Sequence, residues 1–436
     1  MADSDFPHSL VLNVPLPTPR LAAILARSLS VDKELSPFVQ RSFSVAPDAA
    51  EVLVINYKAS TARMLRVAVN GCMESLNLVL EVCQELDQDA LEESIEFSYL
   101  HEIIMADLPP TLPPGAETLS IVLPHKPSAS LSCTFIKGTT NILIVFLNGL
   151  GLPQSHWWPC ITQILSLDPI HPSILTYDRY GQGLTADPDP QDDGQSPLPP
   201  GHRHDLISVT KDLHILIDTI SKTQQILLSE TPLIFVANSI GCPLARYYSQ
   251  TYPATVAGLV LLDSYMTDTN FIDLYPDPDA PGFDEHSLPD GITVEDIRAA
   301  REGMGKLFHP SVTNKEGFWR GNITLLLPHS FEPKLLGWKE GDIGGKGPYV
   351  TVVGHDWNAF AEESLRMKGM TKAVAMAYTN PAWGLYNEGL VNITSEERGR
   401  RLIASGAGHF IQQGRPDLVA EEVQKVVVLV AEEASP

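Results

Sequence analysis

Cysteine is scarce in this sequence, with five residues among 436, at positions 72, 83, 133, 160 and 242. These positions form no C-x-x-C pair and no cysteine–histidine spacing typical of a metal site, so we predict no bound metal. An odd, scattered set predicts free thiols in a reducing compartment. We therefore expect a cytoplasmic protein, with the nucleus as an alternative.

Long apolar runs and positive charge are also lacking. No apolar run approaches the ~18 residues that a membrane-spanning helix needs, and the N-terminal segment lacks the basic and apolar regions of a signal peptide. Lysine and arginine number 30 against 53 acidic residues, which gives a net charge of -23. That charge argues against strong non-specific binding of the whole chain to nucleic acid or to an anionic membrane. A length of 436 residues predicts more than one ordinary core.

The segment ANSIG at 237–241 is the most informative stretch that is present. An apolar run at 232–237 predicts a buried strand, and residues 243–250 predict a helix. A strand, a tight turn with Ser239 at its tip and a helix form the nucleophile elbow of α/β-hydrolases. The tightness of this turn requires small residues two positions before and after the serine. Ala237 and Gly241 meet that requirement, with alanine in place of the usual first glycine.

A serine nucleophile needs a general base, and the base needs an orienting acid. In the fold with this elbow the chain order is serine, acid, histidine. The base candidate is His409, in the segment GAGHF after the last predicted strand. Two acids remain open: Asp356 follows the strand before the last, and Asp263 follows the strand after the elbow. We favour Asp356, because its position is the commoner one, and we expect the adjacent His355 to be structural.

The oxyanion of acyl transfer needs N–H donors. One should be the backbone N–H of Ile240. The other should come from the loop LNGLGL at 147–152, which resembles the His-Gly segment of α/β-hydrolases with Asn148 in the histidine position. That resemblance implies Leu150 as the second donor. The segment DRYGQG at 178–183 resembles the same family's D-x-x-G-x-G loop, which is usually structural.

Residues of about 118–430 therefore resemble an α/β-hydrolase. The resemblance implies a doubly wound, mostly parallel sheet and no metal or organic cofactor. Apolar segments predict its strands near 119–123, 131–136, 141–147, 173–177, 233–237, 258–262, 349–353 and 401–404. A cap insertion is expected at about 265–347, with a helix opened by a capping box at Thr293. Trp383 and Tyr386 are expected near the site.

The first ninety residues predict a separate α+β domain with the order strand, helix, strand, strand, helix. The segments SLSVDKE at 28–34 and ARMLRVAVN at 62–70 resemble the small dimeric subunit of the KEOPS (EKC) complex. This resemblance implies self-dimerisation, docking to a kinase-like subunit and help in binding tRNA, with no catalytic residues. It suggests Lys58, Arg63 and Arg66 for a surface facing RNA or a partner. A Pro-rich linker is predicted at 91–117.

These patterns predict a serine hydrolase that cleaves or transfers the acyl group of a small-molecule ester. The alternative is an accessory subunit of a tRNA threonylcarbamoyl-adenosine modification complex, in which the hydrolase module is incidental. The Pro-rich joint is compatible with a true fusion or with two neighbouring genes merged by a faulty gene model. The sequence does not specify the acyl group or the leaving group.

Overall fold

The computed structural model describes residues 6–434 except 17–18, 32–35, 48, 66–67, 70–71, 73–75, 77–111, 168–169, 191–197 and 342–344. The chain divides into two compact units, Met1–Pro110 and Thr111–Pro436. The predicted linker falls mostly outside the described residues, as do Arg66 and the C-terminal part of the predicted second helix of the first unit.

The N-terminal unit is a three-stranded antiparallel sheet with a helix packed on one face. Its elements are β1 (His8–Pro15), α1 (Pro19–Val31), β2 (Val39–Ala46) and β3 (Ala49–Ala59), and β3 lies between β1 and β2. The alternating residues Leu53, Ile55 and Tyr57 of β3 are buried, and they pack in one core with Leu25 of α1. Described residues at 62–65, 68–69, 72 and 76 are helical, at the start of the predicted second helix.

The C-terminal unit contains an eight-stranded sheet with the order β13-β12-β10-β9-β6-β7-β5-β4. β5 pairs antiparallel with both its neighbours, and all the other strand pairs of this sheet are parallel. The fold class predicted from the sequence is confirmed. The strands are β4 (Ala116–Val122), β5 (Ser130–Ile136), β6 (Leu143–Leu147), β7 (Ser173–Tyr177), β9 (Leu233–Asn238), β10 (Val256–Leu262), β12 (Tyr349–His355) and β13 (Gly399–Ala404).

Helices cover both faces of this sheet, because its central strands are apolar on both sides. Every residue of β6, β9 and β10 is buried. Alternate residues of these strands belong to two separate cores, one shared with α2 and α11 and the other with α3 and α4. These helices are α2 (Trp158–Leu167), α3 (Leu206–Gln224), α4 (Gly241–Thr251) and α11 (Pro416–Ala434).

The segment between β10 and β12 carries one long helix and several short elements. α5 (Val294–Phe308) begins at the predicted capping box, in which the Thr293 side chain accepts from Asp296 N and the Asp296 side chain accepts from Thr293 N. β11 (Phe318–Trp319) pairs with β8 (His204–Asp205), and α6 (Ile323–Leu326) follows. After β12 come α7 (Trp357–Lys368), α8 (Lys372–Val374), a π-helix (Ala375–Thr379) and α9 (Asn380–Leu390), and α10 (Ile411–Gly414) precedes α11.

Two further findings concern membrane-spanning helices and the cysteines. Among the described residues, no helix has the length and apolar character needed to cross a bilayer. The four described cysteines, Cys72, Cys133, Cys160 and Cys242, are buried free thiols. Burial raises the pKa of the last three, so these thiols are unreactive packing groups rather than nucleophiles.

Candidate active site

Ser239 lies in the tight turn between the end of β9 and the start of α4. Its φ is +53°, a left-handed value that is costly for a non-glycine residue and that is concentrated at functional sites. The turn is held by hydrogen bonds from Ser239 N to Leu262 O (3.1 Å) and from Tyr265 N to Ser239 O (3.1 Å). Ser239 is half-buried, whereas its neighbours in the turn are buried. A Cβ at Gly241 would lie 2.4 Å from Leu147 O, which explains the need for glycine there.

Asp263 and His409 form a hydrogen-bonded pair beside this turn. Asp263 directly follows β10, is fully buried and also has a positive φ, of +43°. Its Oδ2 accepts a hydrogen bond from His409 Nδ1 at 2.5 Å. The pairing leaves Nε2 as the ring nitrogen that can act as a base. No hydrogen bond joins Ser239 Oγ to His409 within the described part of the chain, and such contacts commonly tighten only in the substrate complex.

His409 thus pairs with the alternative acid candidate, Asp263, and the structure places the favoured candidate, Asp356, elsewhere. Asp356 is the N-cap of α7, where its Oδ1 accepts from Asn358 N (2.9 Å) and Ala359 N (3.1 Å). Its Oδ2 accepts from Gly406 N at 3.2 Å. Both carboxylate oxygens thus serve the backbone, and these N–H donors hold the pKa of Asp356 below its ordinary value.

His355 contacts the second oxygen of Asp263. Its Nδ1 lies 2.7 Å from Asp263 Oδ1, and its Nε2 lies 3.1 Å from Asn380 Oδ1. The Asn380 amide nitrogen donates to Trp357 O at 3.0 Å, which fixes the amide oxygen toward the ring. Both ring nitrogens of His355 thus face acceptor oxygens, which favours the doubly protonated ring. The expectation that His355 is structural agrees with its position behind Asp263.

The charge state of Asp263 follows from these two partners. Burial acts to raise the pKa of Asp263, but the charges and hydrogen bonds of His355 and His409 outweigh it and hold this pKa at about 2. Burial likewise acts to lower the pKa of His355, and the Asp263 carboxylate raises it above the ordinary value. Asp263 is therefore an anion across the neutral range, as the orienting acid of a triad must be.

The loop that carries His409 is fixed by contacts that the sequence did not reveal. His409 N donates to Glu363 Oε2 at 2.6 Å, and its carbonyl accepts from Asn238 Nδ2 at 3.1 Å. Asn238 directly precedes the nucleophile candidate, so one side chain joins the elbow to the histidine loop. A Cβ at Gly408 would lie 1.8 Å from Glu363 Oε2, so a larger residue here would displace the Glu363 carboxylate.

The loop after β6 lies against the elbow, as expected for an oxyanion hole. A Cβ at Gly149 would be 3.4 Å from Ser239 Cβ, which places this loop beside the nucleophile candidate. Asn148 is anchored by Trp157 Nε1, which donates to its Oδ1 (2.8 Å), and by its own Nδ2, which donates to Tyr177 O (2.8 Å). The backbone N–H groups of Ile240 and Leu150 remain candidates for the two donors.

A buried ion pair holds the carbonyls of this loop. Arg179 Nη1 donates to Asn148 O (2.9 Å), and its Nη2 donates to Gly149 O (2.8 Å). The same guanidinium is paired with Glu316, at 2.9 Å from Nε to Oε2, and both side chains are almost fully buried. Glu316 also accepts from Gly151 N. These contacts orient the loop carbonyls toward Arg179. Because Glu316 lies between β10 and β12, that segment helps to fix the backbone of the loop.

The predicted structural loop at 178–183 has that role. Asp178 is fully buried and accepts from Gln154 N (2.6 Å) and Leu184 N (2.9 Å). Burial raises the pKa of Asp178 to about 6. Gly183 has a φ of +50°, and a Cβ there would lie 2.5 Å from the Asp178 carboxylate carbon. The loop thus connects Arg179 with the segment that leads into α2.

Trp383 adjoins the histidines, as the sequence suggested. Its ring centroid lies 5.5 Å from that of His409 and 5.4 Å from that of His355, and its Nε1 donates to Ser264 O (2.8 Å). Tyr386 lies one turn further along α9, where its hydroxyl accepts from Arg246 Nη1 (3.0 Å). Trp383 therefore packs against the triad candidates, and Tyr386 serves a neighbouring polar network.

The structure thus brings together Ser239, Asp263 and His409, with Ile240 and the loop of Leu150 beside them. Reasoning from sequence missed Asn238, Glu363, Glu316 and the pairing of His355 with Asp263. Asn238 could have been noticed, because a polar residue at the buried end of an apolar strand needs a partner. Glu316 and Glu363 left no local signal, because their partners are distant in the sequence.

Comparison with known families matches residues 144–422 to the model described as Alpha/beta hydrolase family. Residues 9–84 match the model described as Transcription factor Pcc1. The N-terminal segment is 46% identical over 80 residues to EKC/KEOPS complex subunit PCC1 of Eremothecium gossypii, which covers 18% of this chain and 96% of that protein. It is 38% identical over 81 residues to an EKC/KEOPS complex subunit of Schizosaccharomyces pombe, which covers 18% of this chain and 89% of that protein.

Solved structures similar to this chain include a carboxyl esterase from Bacillus coagulans, with a TM-score of 0.44 and 14% identity over 73% of this chain and 99% of that one. A putative lipase from Acinetobacter baumannii has a TM-score of 0.40 and 13% identity, over 73% of this chain and 93% of that one. Scores this low carry no weight for the choice of substrate.

Proposed function

The chain belongs to the alpha/beta hydrolase family and carries an N-terminal Pcc1-family domain, and on this basis we propose that it is a serine hydrolase acting on small-molecule acyl esters. Ser239 is the nucleophile, His409 the general base and Asp263 the orienting acid. The observation that carries the proposal is the 2.5 Å contact between His409 Nδ1 and Asp263 Oδ2 beside a strained serine turn.

The proposed reaction follows the acyl-enzyme route. Ser239 Oγ attacks the ester carbonyl carbon while His409 Nε2 removes the hydroxyl proton, and Asp263 stabilises the resulting imidazolium. The N–H groups of Ile240 and Leu150 stabilise the oxyanion of the tetrahedral intermediate. Collapse breaks the bond to the alkoxy group, which takes the proton from His409 and leaves as alcohol. Water, activated by His409 in turn, then releases the acid and restores Ser239; another acceptor in place of water would give acyl transfer.

Labelling with a fluorophosphonate probe tests this proposal, because the probe reacts with activated serines only. We expect the full-length protein to be labelled and the Ser239→Ala variant to lose labelling altogether. Ser166→Ala, at an exposed serine of α2, is the matched control and should be labelled like the parent. A folded parent protein that resists the probe, or labelling that persists in Ser239→Ala, would contradict the proposal.

A second function is favoured for the N-terminal unit by its strand and helix order and by the family match over residues 9–84. We propose that this unit binds protein subunits of an EKC/KEOPS-type complex or a second copy of itself, with tRNA contact as a further expectation. A complex of this kind and the free cysteines both fit a cytoplasmic or nuclear location. The two functions occupy different units, so they do not exclude each other.

A further inference from the structure

Among the described residues of the hydrolase unit, four lysine and arginine side chains are buried, and Arg320 differs from the other three. Lys126 pairs with Asp189 and Asp212, and Arg179 pairs with Glu316. Arg246 interacts electrostatically with Asp268. Its two terminal nitrogens donate to the Tyr386 hydroxyl and to the backbone carbonyls of His329 and Glu332. Burying a charge is costly unless it is paired and hydrogen-bonded, so an exception requires a reason.

Arg320 is 6% exposed and has one weak hydrogen bond, from Nη2 to Val312 O at 3.5 Å. Its Nε is buried without a partner. Its guanidinium carbon lies 5.8 Å from the centroid of the Phe308 ring. Burial lowers the pKa of Arg320, and within the described part of the chain no carboxylate counters that effect. The site therefore holds a desolvated cation with unused donors.

Lys368, at the end of α7, approaches the same ring. Its Nζ lies 5.7 Å from the centroid of Phe308 and 5.7 Å from that of Phe360. Protein atoms surround the ammonium and lower the pKa of Lys368, although the side chain as a whole is half-buried. Glu363 and Asp263 are near enough to act on its charge. Both carboxylates are hydrogen-bonded to His409, Glu363 through its backbone N–H and Asp263 through its ring. No ion pair of the described residues includes Lys368.

A chain of aromatic contacts links the Phe308 ring, which both cations approach, to the triad candidates. Phe308 stacks on Phe271 with centroids 4.3 Å apart, and Phe271 lies 5.8 Å from Trp383. Trp383 in turn lies 5.5 Å from His409. Phe308, Lys368, Ser239 and His409 are all half-buried, whereas Phe271 and Trp383 behind them are buried. The half-buried groups thus form the part of this cluster that solvent reaches.

We propose that Arg320 and Lys368 form a subsite for an anionic group, and that the substrate is an ester whose acyl chain ends in a carboxylate. Both cations lie within 6 Å of the Phe308 centroid, so together they make the surroundings of this ring positively charged. Hydrogen bonds between ionised partners in a partly buried site are the strong ones. The net charge of -23 otherwise repels such a substrate, so selectivity depends on these local cations. This inference rests on the proposed hydrolase function.

The test compares two 4-nitrophenyl esters of matched shape, the glutarate monoester and the neutral 5-methylhexanoate. We expect the full-length protein to prefer the glutarate ester in kcat/KM. In Lys368→Met and in Arg320→Met the ratio of the two kcat/KM values should fall by about 10-fold or more. Lys306→Met, at an exposed lysine of α5 paired with Glu302, is the control that should keep the parental ratio. A parent with no preference, or variants that keep its ratio, would overturn the subsite.

A binding measurement separates the subsite from the catalytic proposal. In the Ser239→Ala variant, calorimetric titration with monomethyl glutarate should show binding at least about 10-fold tighter than with dimethyl glutarate, and Lys368→Met in that background should remove the difference. Equal binding of the two esters would overturn the subsite even if the parent protein is labelled by fluorophosphonate. A clear difference in a protein that fluorophosphonate does not label would support the subsite and contradict the hydrolase.

Discussion

At the scale of single residues, Asp263 is the centre of the site because it serves two histidines at once. Its Oδ1 contacts His355 and its Oδ2 contacts His409. A single buried carboxylate between two rings remains ionised only because both partners favour its charge. His355 thus positions the proposed acid, whereas His409 is the proposed general base.

Replacing His355 with glutamine should change how stability depends on pH. The raised pKa of His355 implies a stabilisation that is complete below its unfolded-state pKa of ~6.5 and is lost as the pH rises through the folded-state value. His355→Gln should therefore be destabilised by about 2 kcal/mol at pH 6 and by less at pH 9, so its stability is flatter over that range. Asp263, whose pKa is lowered to about 2, contributes stability that is lost as the pH falls from ~4 toward 2.

Urea unfolding followed by tryptophan fluorescence is the suitable measurement. All six tryptophans lie after residue 150, so the signal reports the hydrolase unit alone. His309→Gln, at an exposed histidine after α5, is the control that should keep the parental pH dependence. If His355→Gln keeps the parental dependence between pH 6 and 9, the charged pair with Asp263 is not present.

The choice between Asp263 and Asp356 shows what residue-level reasoning can and cannot predict. Both follow strands whose ends meet at the same edge of the sheet. A helix begins directly after Asp356, and aspartate is a preferred N-cap, so the sequence already contained a reason to assign Asp356 to the helix. The distance from Asp263 to His409 depends on how two loops close over that edge, and no local pattern encodes it.

At the scale of elements, the strands were predictable because their apolar runs are continuous. The runs near 143–147 and 233–237 form β6 and β9, in which every side chain is buried. Their order in the sheet was not predictable from those runs, because buried strands of similar composition are interchangeable by pattern. The contact between Glu316 and the loop after β6 was equally hidden, because Gly151 and Glu316 lie 165 positions apart. The Arg179–Glu316 pair likewise joins residues 137 positions apart.

Glu316→Gln should impair the chemistry of the folded protein. The change leaves the buried Arg179 charge without its partner, which is expected to lower the free energy of unfolding by about 3 kcal/mol. It also loosens the loop of Gly149 and Leu150, so we expect fluorophosphonate labelling of the folded fraction to slow by about 10- to 100-fold.

The control for this variant is Glu340→Gln. Glu340 accepts hydrogen bonds from Gly337 N, Lys346 N and Gly347 N. It therefore fixes backbone between β10 and β12, and these contacts do not include the loop after β6. It should lose stability and keep the parental labelling rate. Equal labelling rates in the two variants would contradict the positioning role of Glu316.

At the scale of the whole molecule, the two units carry separate cores and separate proposed functions. Composition and length predicted more than one core, and the family matches lie within different units. Ser239, Asp263 and His409 all belong to the C-terminal unit. Each function should therefore respond to substitutions in its own unit only.

Substitutions in full-length protein test this independence. Ile55→Asp places a charge in the core of the N-terminal unit, where Ile55 is fully buried, and should abolish capture of a purified EKC/KEOPS kinase-like subunit. The same variant should keep fluorophosphonate labelling at the parental rate. Ser239→Ala should lose fluorophosphonate labelling and keep capture of the kinase-like subunit. Loss of both properties in either variant would mean that the two units are functionally coupled.

The most direct test of the account is the labelling rate of Asp263→Asn against Asp356→Asn. Asp263→Asn removes the charge that orients His409, and labelling should slow by about 10³- to 10⁴-fold while the protein stays folded. Asp356→Asn keeps the side-chain oxygen that caps α7, so labelling should remain within about 10-fold of the parent, with a stability loss of at most about 1 kcal/mol. A severe loss in Asp356→Asn together with near-parental labelling in Asp263→Asn would contradict the triad of Ser239, Asp263 and His409.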